Sequence, residues 1–293
     1  MAAVGAAVVV PLLRKRLRIP APATVGACAT GPLALAVLWP RSKKRDVALF
    51  ALQMWGFTMV HELPYDDADR LRARLRTRYP IVADSFVGGG ELPTIRAQRS
   101  LAKLGRANLL DRVLTWVHWL WFLVPYLALL WILIRHNERF PRSARQMAAT
   151  FDLGCVGYFA VPTAPPWWAS EQGDGEVRRI MVEVGEETWG RAWPGMYAAL
   201  GGNPWAAMPS LHFATSAMAA ILLWEAAPGE GAAGWAYATA LGFALVYLGE
   251  HYVTDLAAGA ALVALVRRGE PLVEPHVLSV NRALQRLERI AND

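Results

Sequence analysis

Residues 208–224 read MPSLHFATSAMAAILLW, a stretch in which Pro, Ser and His precede a long apolar run. The run has the length and composition of a helix that crosses a membrane. An imidazole is unfavourable inside such a helix, because polar groups in the bilayer core are costly. His212 is therefore expected at a water boundary, either as a harmless interfacial residue or as part of a reaction site.

The composition indicates a helical membrane protein. Of the 293 residues, 55% are hydrophobic and 18% are charged, whereas soluble domains carry about 25% charged residues. The apolar residues form long runs, and spanning backbone must satisfy its own hydrogen bonds, so we predict an all-α integral membrane protein. The net charge of +6 fits basic loops. No basic face is interleaved with exposed aromatic residues, so no nucleic-acid partner is expected.

Hydropathy predicts a bundle of six transmembrane helices. Several of the apolar runs are shorter than the roughly 20 residues that a span needs, so the predicted boundaries can shift by a few residues. The predicted spans are residues 46–62, 114–134, 146–164, 210–227, 233–249 and 252–267.

Basic loops indicate which ends of the spans share a side. Short loops rich in Lys and Arg stay in the cytoplasm. The long segments 63–113 and 165–209, together with the turn at His251, are then predicted on the extracytoplasmic face. Three basic loops fall on the opposite face if the six spans alternate: RSKKRD (41–46), RHNERFPRSAR (135–145) and RRGE (267–270).

A further apolar segment, residues 20–39, is interrupted by prolines and a glycine. RKRLR (14–18) precedes it and RSKKRD follows it, so a full crossing would put the two basic flanks on opposite sides of the membrane. We therefore expect a re-entrant or interfacial hairpin, with both flanks in the cytoplasm.

Two segments have the pattern of amphipathic surface helices. In PYDDADRLRARLRTRYP (64–80), aspartates precede arginines, and Leu71, Leu75 and Tyr79 form a narrow apolar stripe, which fits a helix at the lipid boundary. The C-terminal residues repeat apolar positions at helical spacing among charges. The predicted regions are a basic and hydrophobic N-terminal segment (1–45), the six-helix core (46–268) and a cytoplasmic amphipathic tail (269–293).

Ser210, His212, His251 and Asp255 are predicted to meet at one end of neighbouring helices. Ser is a preferred N-cap, and the unpaired N–H groups of a first helical turn bind phosphate. The chain crosses, turns and returns to GEHYVTDLAAG (249–259), so His251 lies on the same side as His212. A carboxylate four residues after His251 shares its helix face and can hold one ring nitrogen, leaving the other as a nucleophile. Such a cluster is suited to phosphoryl transfer.

PSLH (209–212) and HYVTD (251–255) resemble the second and third motifs of the phosphatidic acid phosphatase type 2 superfamily. PSLH, PTAPPWW (162–168) and NPWAAMPSLH (203–212) are most similar to its inositol phosphorylceramide synthase-like branch, whose members are inositolphosphotransferases. The resemblance covers about residues 46–268.

The resemblance implies a six-helix core, no metal, no cofactor and a phosphohistidine intermediate. By analogy, His251 attacks phosphorus, Asp255 orients the imidazole and His212 protonates the leaving oxygen. Two features of the superfamily are absent. Leu245 occupies the position, six residues before the nucleophilic histidine, where many phosphatases have arginine, and the Pro/Trp-rich 162–168 replaces the Lys…Arg-Pro first motif.

Other cations must then hold the phosphate, and arginine is suited because its fork bonds two oxygens at once. We expect phosphate or substrate to be bound by Ser210 and by arginines of the outer face. The arginines are Arg96, Arg99 and Arg191, with Arg178 and Arg179 as further candidates, and the alternative for each of them is a solvated loop charge.

Three other residues have more than one interpretation. His118 begins its span on the outer side and either reaches the site or anchors the interface beside neighbouring tryptophans. Trp167 fits an interfacial belt or a wall of the lipid pocket. Asp152, inside a span, indicates a buried hydrogen bond or a functional role. Glu250 is expected to be a solvated neighbour of His251.

We therefore expect a membrane-embedded lipid phosphatase or phosphotransferase with its site on the extracytoplasmic face. Its substrate would be a phosphate ester or diester on a lipid or polyprenyl carrier. Water, or an alcohol or sugar acceptor, would receive the group, and transfer of a headgroup such as inositol phosphate is one form of this reaction. The alternatives are a polytopic lipid transporter or flippase without phosphoryl chemistry, and a non-catalytic assembly partner with a decayed site.

Overall fold

The protein is built almost entirely of helices. The computed structural model describes residues 2–103, 105–173, 175–200 and 203–292. Helix accounts for 81% of the structure, and no β-strand forms within these ranges. The prediction of an all-α fold is therefore confirmed.

The helices of the described residues are as follows. In chain order they are α1 (Ala2–Leu17), α2 (Ala21–Leu38), α3 (Lys43–Glu62), α4 (Ala68–Arg72), α5 (Arg78–Val87), α6 (Pro93–Leu101), α7 (Leu109–Leu120), α8 (Val124–Arg135), α9 (Phe140–Ala160), α10 (Pro166–Glu171), α11 (Ile180–Trp189), α12 (Trp193–Leu200), α13 (Leu211–Ala226), α14 (Pro228–Tyr247) and α15 (Val253–Asn292). Single 3-10 turns form at Leu63–Asp67, Asn137–Arg139 and Gly190–Ala192.

Helix α13 lies at the centre of the bundle, where it packs against α8, α9, α14 and α15. Its buried side chains join those of α8, α9 and α15 in the main apolar core, in which Met147, Phe151 and Met218 are fully buried. Close packing of this kind allows little displacement. The core therefore holds the start of α13, with Ser210 and His212, at a defined position against α9 and α15.

Each predicted span falls on helix. Five of them lie on the single helices α3, α9, α13, α14 and α15, and residues 114–134 are divided between α7 and α8, which are bent by 53°. By length and composition, α2 alone among the described residues could cross a bilayer as one helix, and the bent pair α7–α8 passes the same test when taken together. Helix α13 is apolar but has only 16 residues. The six-span count therefore stays a prediction.

The hairpin predicted within residues 20–39 does not form. Helix α2 is unbroken and packs along α1. Arg14, near the end of α1, is buried and bonds Glu62 (3.0 Å) and Asp66 (2.8 Å) at the end of α3. Because RSKKRD leads into the start of α3, the two basic flanks lie at opposite ends of that helix. The two carboxylates compensate the charge of Arg14, so the rule that basic loops stay in the cytoplasm does not determine the side on which RKRLR lies.

The surface helix predicted over residues 64–80 is interrupted. Between α4 and α5, the backbone N–H of Arg76 donates to the carbonyl of Pro162 (2.9 Å), and Ala164 N donates to the carbonyl of Arg76 (3.0 Å). Backbone paired in this extended manner cannot also make the i to i−4 bonds of a helix. The segment therefore forms two short helices rather than one.

Ion pairs join α9, α13 and α15 at the end of the bundle that lies away from His212. Arg142, in the first turn of α9, bonds Glu225 (3.0 Å) at the end of α13 and Glu270 (2.9 Å) on α15. Arg267 pairs with the same Glu225. These contacts bring the second and third basic loops to one face, as the alternation of spans predicted.

The predicted tail, residues 269–293, lies in the C-terminal part of the 40-residue helix α15, and Asp293 lies outside the described residues. The predicted boundary between core and tail thus falls inside one continuous helix. Leu272 and Ile290 are exposed on it, and Glu288 accepts a hydrogen bond from Arg45 at the start of α3 (2.7 Å).

Candidate active site

The first turn of α13 lies against the start of α15. Ser210 caps α13, because its Oγ accepts a hydrogen bond from the N–H of Phe213 (3.3 Å). The N–H of Ser210 itself donates to the carbonyl oxygen of Asp255 (3.0 Å). Gly259 permits this approach, since a Cβ at that position would lie 2.7 Å from the carbonyl oxygen of Ser210. The two helix starts are thus joined through their backbones.

His212, His251 and Asp255 form a continuous row of hydrogen-bonding groups. Nδ1 of His212 lies 3.1 Å from Nε2 of His251, and Nδ1 of His251 lies 3.2 Å from Oδ2 of Asp255. That same Oδ2 accepts from the N–H of Tyr252 (2.9 Å). His251 is 3% exposed and Asp255 is fully buried, whereas His212 is half-buried. The structure therefore brings together the three residues predicted to be catalytic, beside Ser210.

The start of α15 is held by a carboxylate that was not predicted from the sequence. Asp84, fully buried on α5, accepts hydrogen bonds from the N–H groups of Val253 (2.9 Å) and Thr254 (2.8 Å). An anionic group is favourable at the positive end of a helix dipole. The available signal was one aspartate within YPIVADSF (79–86), an apolar context in which a buried carboxylate requires donors.

Aromatic rings of α7 and the turn that follows it enclose His212. The ring centroid of His118 lies 5.1 Å from that of His212, and the Trp121 ring lies 4.1 Å from it. His118 is buried, and its Nδ1 has no hydrogen-bond partner among the described residues. Of the two roles left open for His118, contact with the histidine pair is therefore the one that its position favours.

Most of the candidate arginines lie on the surface. Arg96 and Arg99 are 58% and 66% exposed and pair with Glu91 (3.7 and 2.7 Å). Arg191 is exposed in the 3-10 turn after α11. Arg178 bonds Glu183 (3.1 Å). Within the described ranges, no hydrogen bond or ion pair joins Arg96, Arg99 or Arg191 to the histidines.

Arg179 differs from the other candidates because it is largely enclosed. Its side chain is 18% exposed, and its Nε donates to Glu250, the residue before His251 (3.1 Å). The guanidinium lies over Trp167, with Cζ 3.6 Å from the ring centre, and Nη2 donates to the hydroxyl of Tyr197 (2.5 Å). Burial lowers the pKa of Arg179, but Glu250 and Tyr197 raise it by more, so the pKa lies above its ordinary value.

Trp167 is buried beside the site, and Glu250 is not the solvated residue expected. The N–H of Trp167 donates to the carbonyl of Gly249 (3.1 Å), which fixes the indole beside the turn that carries His251. The Glu250 side chain is 12% exposed and paired with Arg179. Burial raises the pKa of Tyr197, and Glu250 adds to the rise while Arg179 opposes it. Tyr197 was not predicted, since its distance along the chain from the motifs hides the contact.

Asp152 lies apart from the histidines. Its Oδ2 accepts a hydrogen bond from Nε2 of Gln53 (2.8 Å), which links α9 to α3 on an exposed face of both helices. Asp152 therefore makes the hydrogen bond that was one of its two predicted roles, although at the protein surface.

Two further features of the structure concern metal ligands and cavities. Within the described part of the chain, no group of three or more His, Cys, Asp or Glu side chains is arranged to hold a metal ion. A surface cavity of about 430 Å³ lies at the opposite end of α13, lined by Trp224, Trp235 and Arg267 among others. The histidine row does not line it.

Comparison with known families identifies the superfamily. A family model described as the PAP2 superfamily matches residues 94–267, a range that holds His212, His251 and Asp255 but not Asp84. Neither the search of curated proteins nor that of solved structures returned a significant match. PAP2 proteins are generally phosphatases, act on phosphorylated lipid-like substrates and are typically membrane proteins. Since the match covers more than half of the chain, the protein belongs to the PAP2 superfamily.

Proposed function

We propose that this protein is a membrane-embedded lipid phosphatase or phosphotransferase that works through a phosphohistidine at His251. The observation that carries the proposal is the row formed by His212, His251 and Asp255, with separations of 3.1 and 3.2 Å. An imidazole whose Nδ1 is held by a carboxylate presents Nε2 as a nucleophile. A second imidazole within hydrogen-bonding distance can serve as the general acid.

In the first half-reaction, Nε2 of His251 forms a bond to phosphorus while the bond from phosphorus to the leaving oxygen breaks. Protonated His212 gives its proton to that oxygen, and Asp255 stabilises the positive charge that develops on His251. The phosphoryl group takes the place of the contact between the two imidazoles. Backbone N–H groups in the first turn of α13 stabilise the charge on the phosphoryl oxygens.

In the second half-reaction, water or an alcohol attacks phosphorus and the bond to Nε2 breaks. His212, now neutral, takes the proton of the attacking oxygen. Water gives hydrolysis, whereas an alcohol or sugar hydroxyl gives transfer of the phosphorylated group. The similarity of PSLH and PTAPPWW to the inositol phosphorylceramide synthase-like branch favours transfer of a headgroup such as inositol phosphate.

The proposed substrate pocket is formed by Ser210, His118 and Trp167. Ser210 shapes the turn that binds phosphate, and His118 and Trp167 supply apolar walls that meet the histidines and their neighbouring turn. Arg96, Arg99 and Arg191 are proposed to attract an anionic substrate from the outer surface, a long-range effect compatible with their exposure. The substrate class is a lipid phosphate or a polyprenyl phosphate.

The proposed site faces the extracytoplasmic side of the cell membrane. The proposed spans are α3, the bent pair α7–α8, α9, α13, α14 and the first part of α15, with α2 as an additional span. Support comes from the ion pairs of Arg142 and Arg267, which gather basic loops at the end away from His212. Basic loops on that side would keep it in the cytoplasm.

The proposal is tested with the full chain in lipid nanodiscs. Phospholipids and polyprenyl phosphates labelled with ³²P are offered in the presence of a chelator, with and without added alcohols. We expect acid-labile, alkali-stable label on the protein and either released phosphate or headgroup exchange. His251→Ala should abolish both, whereas His276→Ala, which alters an exposed histidine of α15, should retain both. Lipid transport without label, or full label in His251→Ala, would refute the proposal.

A further inference from the structure

Arg179 and Glu250 form a partly buried ion pair next to the proposed nucleophile. Nε of Arg179 lies 3.1 Å from Oε1 of Glu250, and Nη2 lies 3.5 Å from Oε2. The two side chains are only 18% and 12% exposed. A guanidinium that binds both oxygens of a carboxylate presents the geometry that also binds two oxygens of a phosphate.

Arg179 is held in place independently of Glu250. Trp167 covers one face of its guanidinium, at 3.6 Å, and the Tyr197 hydroxyl accepts from Nη2 (2.5 Å). The preceding N–H, of Arg178, donates to Oε1 of Gln98 (2.9 Å), whose amide nitrogen donates to the carbonyl of Tyr247 at the end of α14 (2.8 Å). The cation would therefore keep its position if Glu250 moved away.

Glu250 is placed beside His251 by a tight turn. Gly249 has a φ of +84°, a left-handed conformation that glycine adopts readily. The N–H groups of Glu250 and His251 both donate to the carbonyl of Leu245 (3.0 and 3.1 Å). The backbone here is fixed, so only the side chain of Glu250 is available to exchange partners.

The ion pair lies beside the turn that carries His251. Glu250 directly precedes His251, and Trp167, over which the Arg179 guanidinium lies, donates its N–H to the carbonyl of Gly249 (3.1 Å). Leu245, six residues before His251, is fully buried and apolar, so it supplies no cation to the site. An anion held by Arg179 would therefore lie next to the turn that carries the proposed nucleophile.

We propose that Arg179 is the phosphate-binding cation of this site, and that Glu250 occupies it until the phosphate of the substrate displaces the carboxylate. The inference rests on the proposed function and deepens it. A buried cation is costly to leave unpaired, so only an anionic group can replace Glu250. Zwitterionic or neutral headgroups cannot make the exchange, and the site is thereby selective for substrates with an accessible anionic phosphate.

The test measures binding of inorganic phosphate to the full chain in nanodiscs by calorimetry, which needs no turnover. If Arg179 is free of Glu250 in about a tenth of resting molecules, Glu250→Gln should bind phosphate up to about tenfold more tightly. Arg179→Lys keeps the charge but loses the fork, and should bind about tenfold more weakly. Glu183→Gln is the matched control, because it unpairs the adjacent Arg178, and should leave the affinity unchanged.

An unchanged or weaker affinity in a folded Glu250→Gln variant would overturn the proposal, as would an equal gain in Glu183→Gln. Should Glu250→Gln fail to fold, Glu250→Asp retracts the carboxylate while keeping its charge, and wild-type affinity there counts against the exchange. Tighter phosphate binding without turnover on any lipid supports the anion site and refutes the enzymatic function. Normal turnover with unaltered phosphate binding refutes the anion site alone.

Discussion

The backbone N–H of Ser210 donates to the carbonyl oxygen of Asp255, at 3.0 Å. This bond joins the residue that caps α13 to the residue that contacts the imidazole of His251. The separation of the two histidines therefore depends on backbone packing between α13 and α15, as well as on the side chains themselves.

Asp255→Asn tests the carboxylate. The amide keeps the shape of the side chain but removes the charge that would stabilise a positively charged His251. We expect kcat to fall by about 10²–10⁴-fold, the range of a general acid–base contribution, with KM little changed. The measurement is lipid phosphate turnover, with Glu274→Gln on the second half of α15 as the control. Unaltered kcat in the folded variant would count against the role of Asp255.

His212→Ala tests the proton donor by means of two leaving groups. With a lipid alcohol, which needs its proton, kcat should fall by about 10²–10⁴-fold. With an aryl phosphate, whose leaving oxygen needs no proton, phosphorylation of His251 should persist while hydrolysis slows, so labelled protein accumulates. Equal losses of phosphorylation with both substrates would show that His212 is not the acid.

Gly259→Ala tests the close approach of α15 to α13. Its Cβ would meet the Ser210 carbonyl oxygen at 2.7 Å, so the helices must separate. We expect a loss of about 1–3 kcal/mol in the free energy of unfolding and a lower kcat. Gly269→Ala, on the same helix with nothing within 4 Å of its Cβ, is the control. Equal thermal stability of the two variants would contradict the packing argument.

Asp84→Ala tests the cap of α15. Loss of the two N–H contacts at Val253 and Thr254 should cost about 1 kcal/mol of stability, a typical value for an N-cap. It should also lower kcat, because the start of α15 carries Asp255. Asp67→Ala removes the cap of α4, where Asp67 accepts from the N–H of Arg70 (3.0 Å), and should leave kcat unchanged. Similar kcat values for the two variants would show that Asp84 does not position the start of α15 for catalysis.

Cysteine labelling tests the sidedness of the N-terminal helices. Lys15→Cys and Lys44→Cys place exposed thiols at opposite ends of α3, and the native Cys28 and Cys155 are buried. A membrane-impermeant maleimide added to intact cells should label position 15 but not position 44. Labelling of both or of neither would contradict α2 as a complete crossing, and the reverse pattern would invert the proposed orientation.

Local pattern was sufficient to predict an all-helical fold and the proximity of His212, His251 and Asp255. The spacing of four residues predicted the contact between His251 and Asp255, although His251 lies two residues before the start of α15 and is not on a helix face. One out-and-back passage of the chain brings His251 to the side of His212. Both inferences use only helix periodicity and the order of the spans, which the sequence contains directly.

Contacts between distant segments could not be predicted in the same way. The partners of Arg14 lie 48 and 52 residues further along the chain, and Asp84 reaches the start of α15 across 169 residues. Hydropathy and periodicity describe which face a residue occupies on its own helix, but they do not identify the side chain that arrives there from another segment. The hairpin in residues 20–39 was wrong for this reason.

The ion pair of Arg14 has a consequence for biogenesis. Ribosomal synthesis delivers this guanidinium first, while Glu62 and Asp66 do not yet exist, so the nascent amino end spends that interval with an uncompensated cation. The ion pairs between α1 and the end of α3 can therefore form only after the polypeptide has been extended past Asp66.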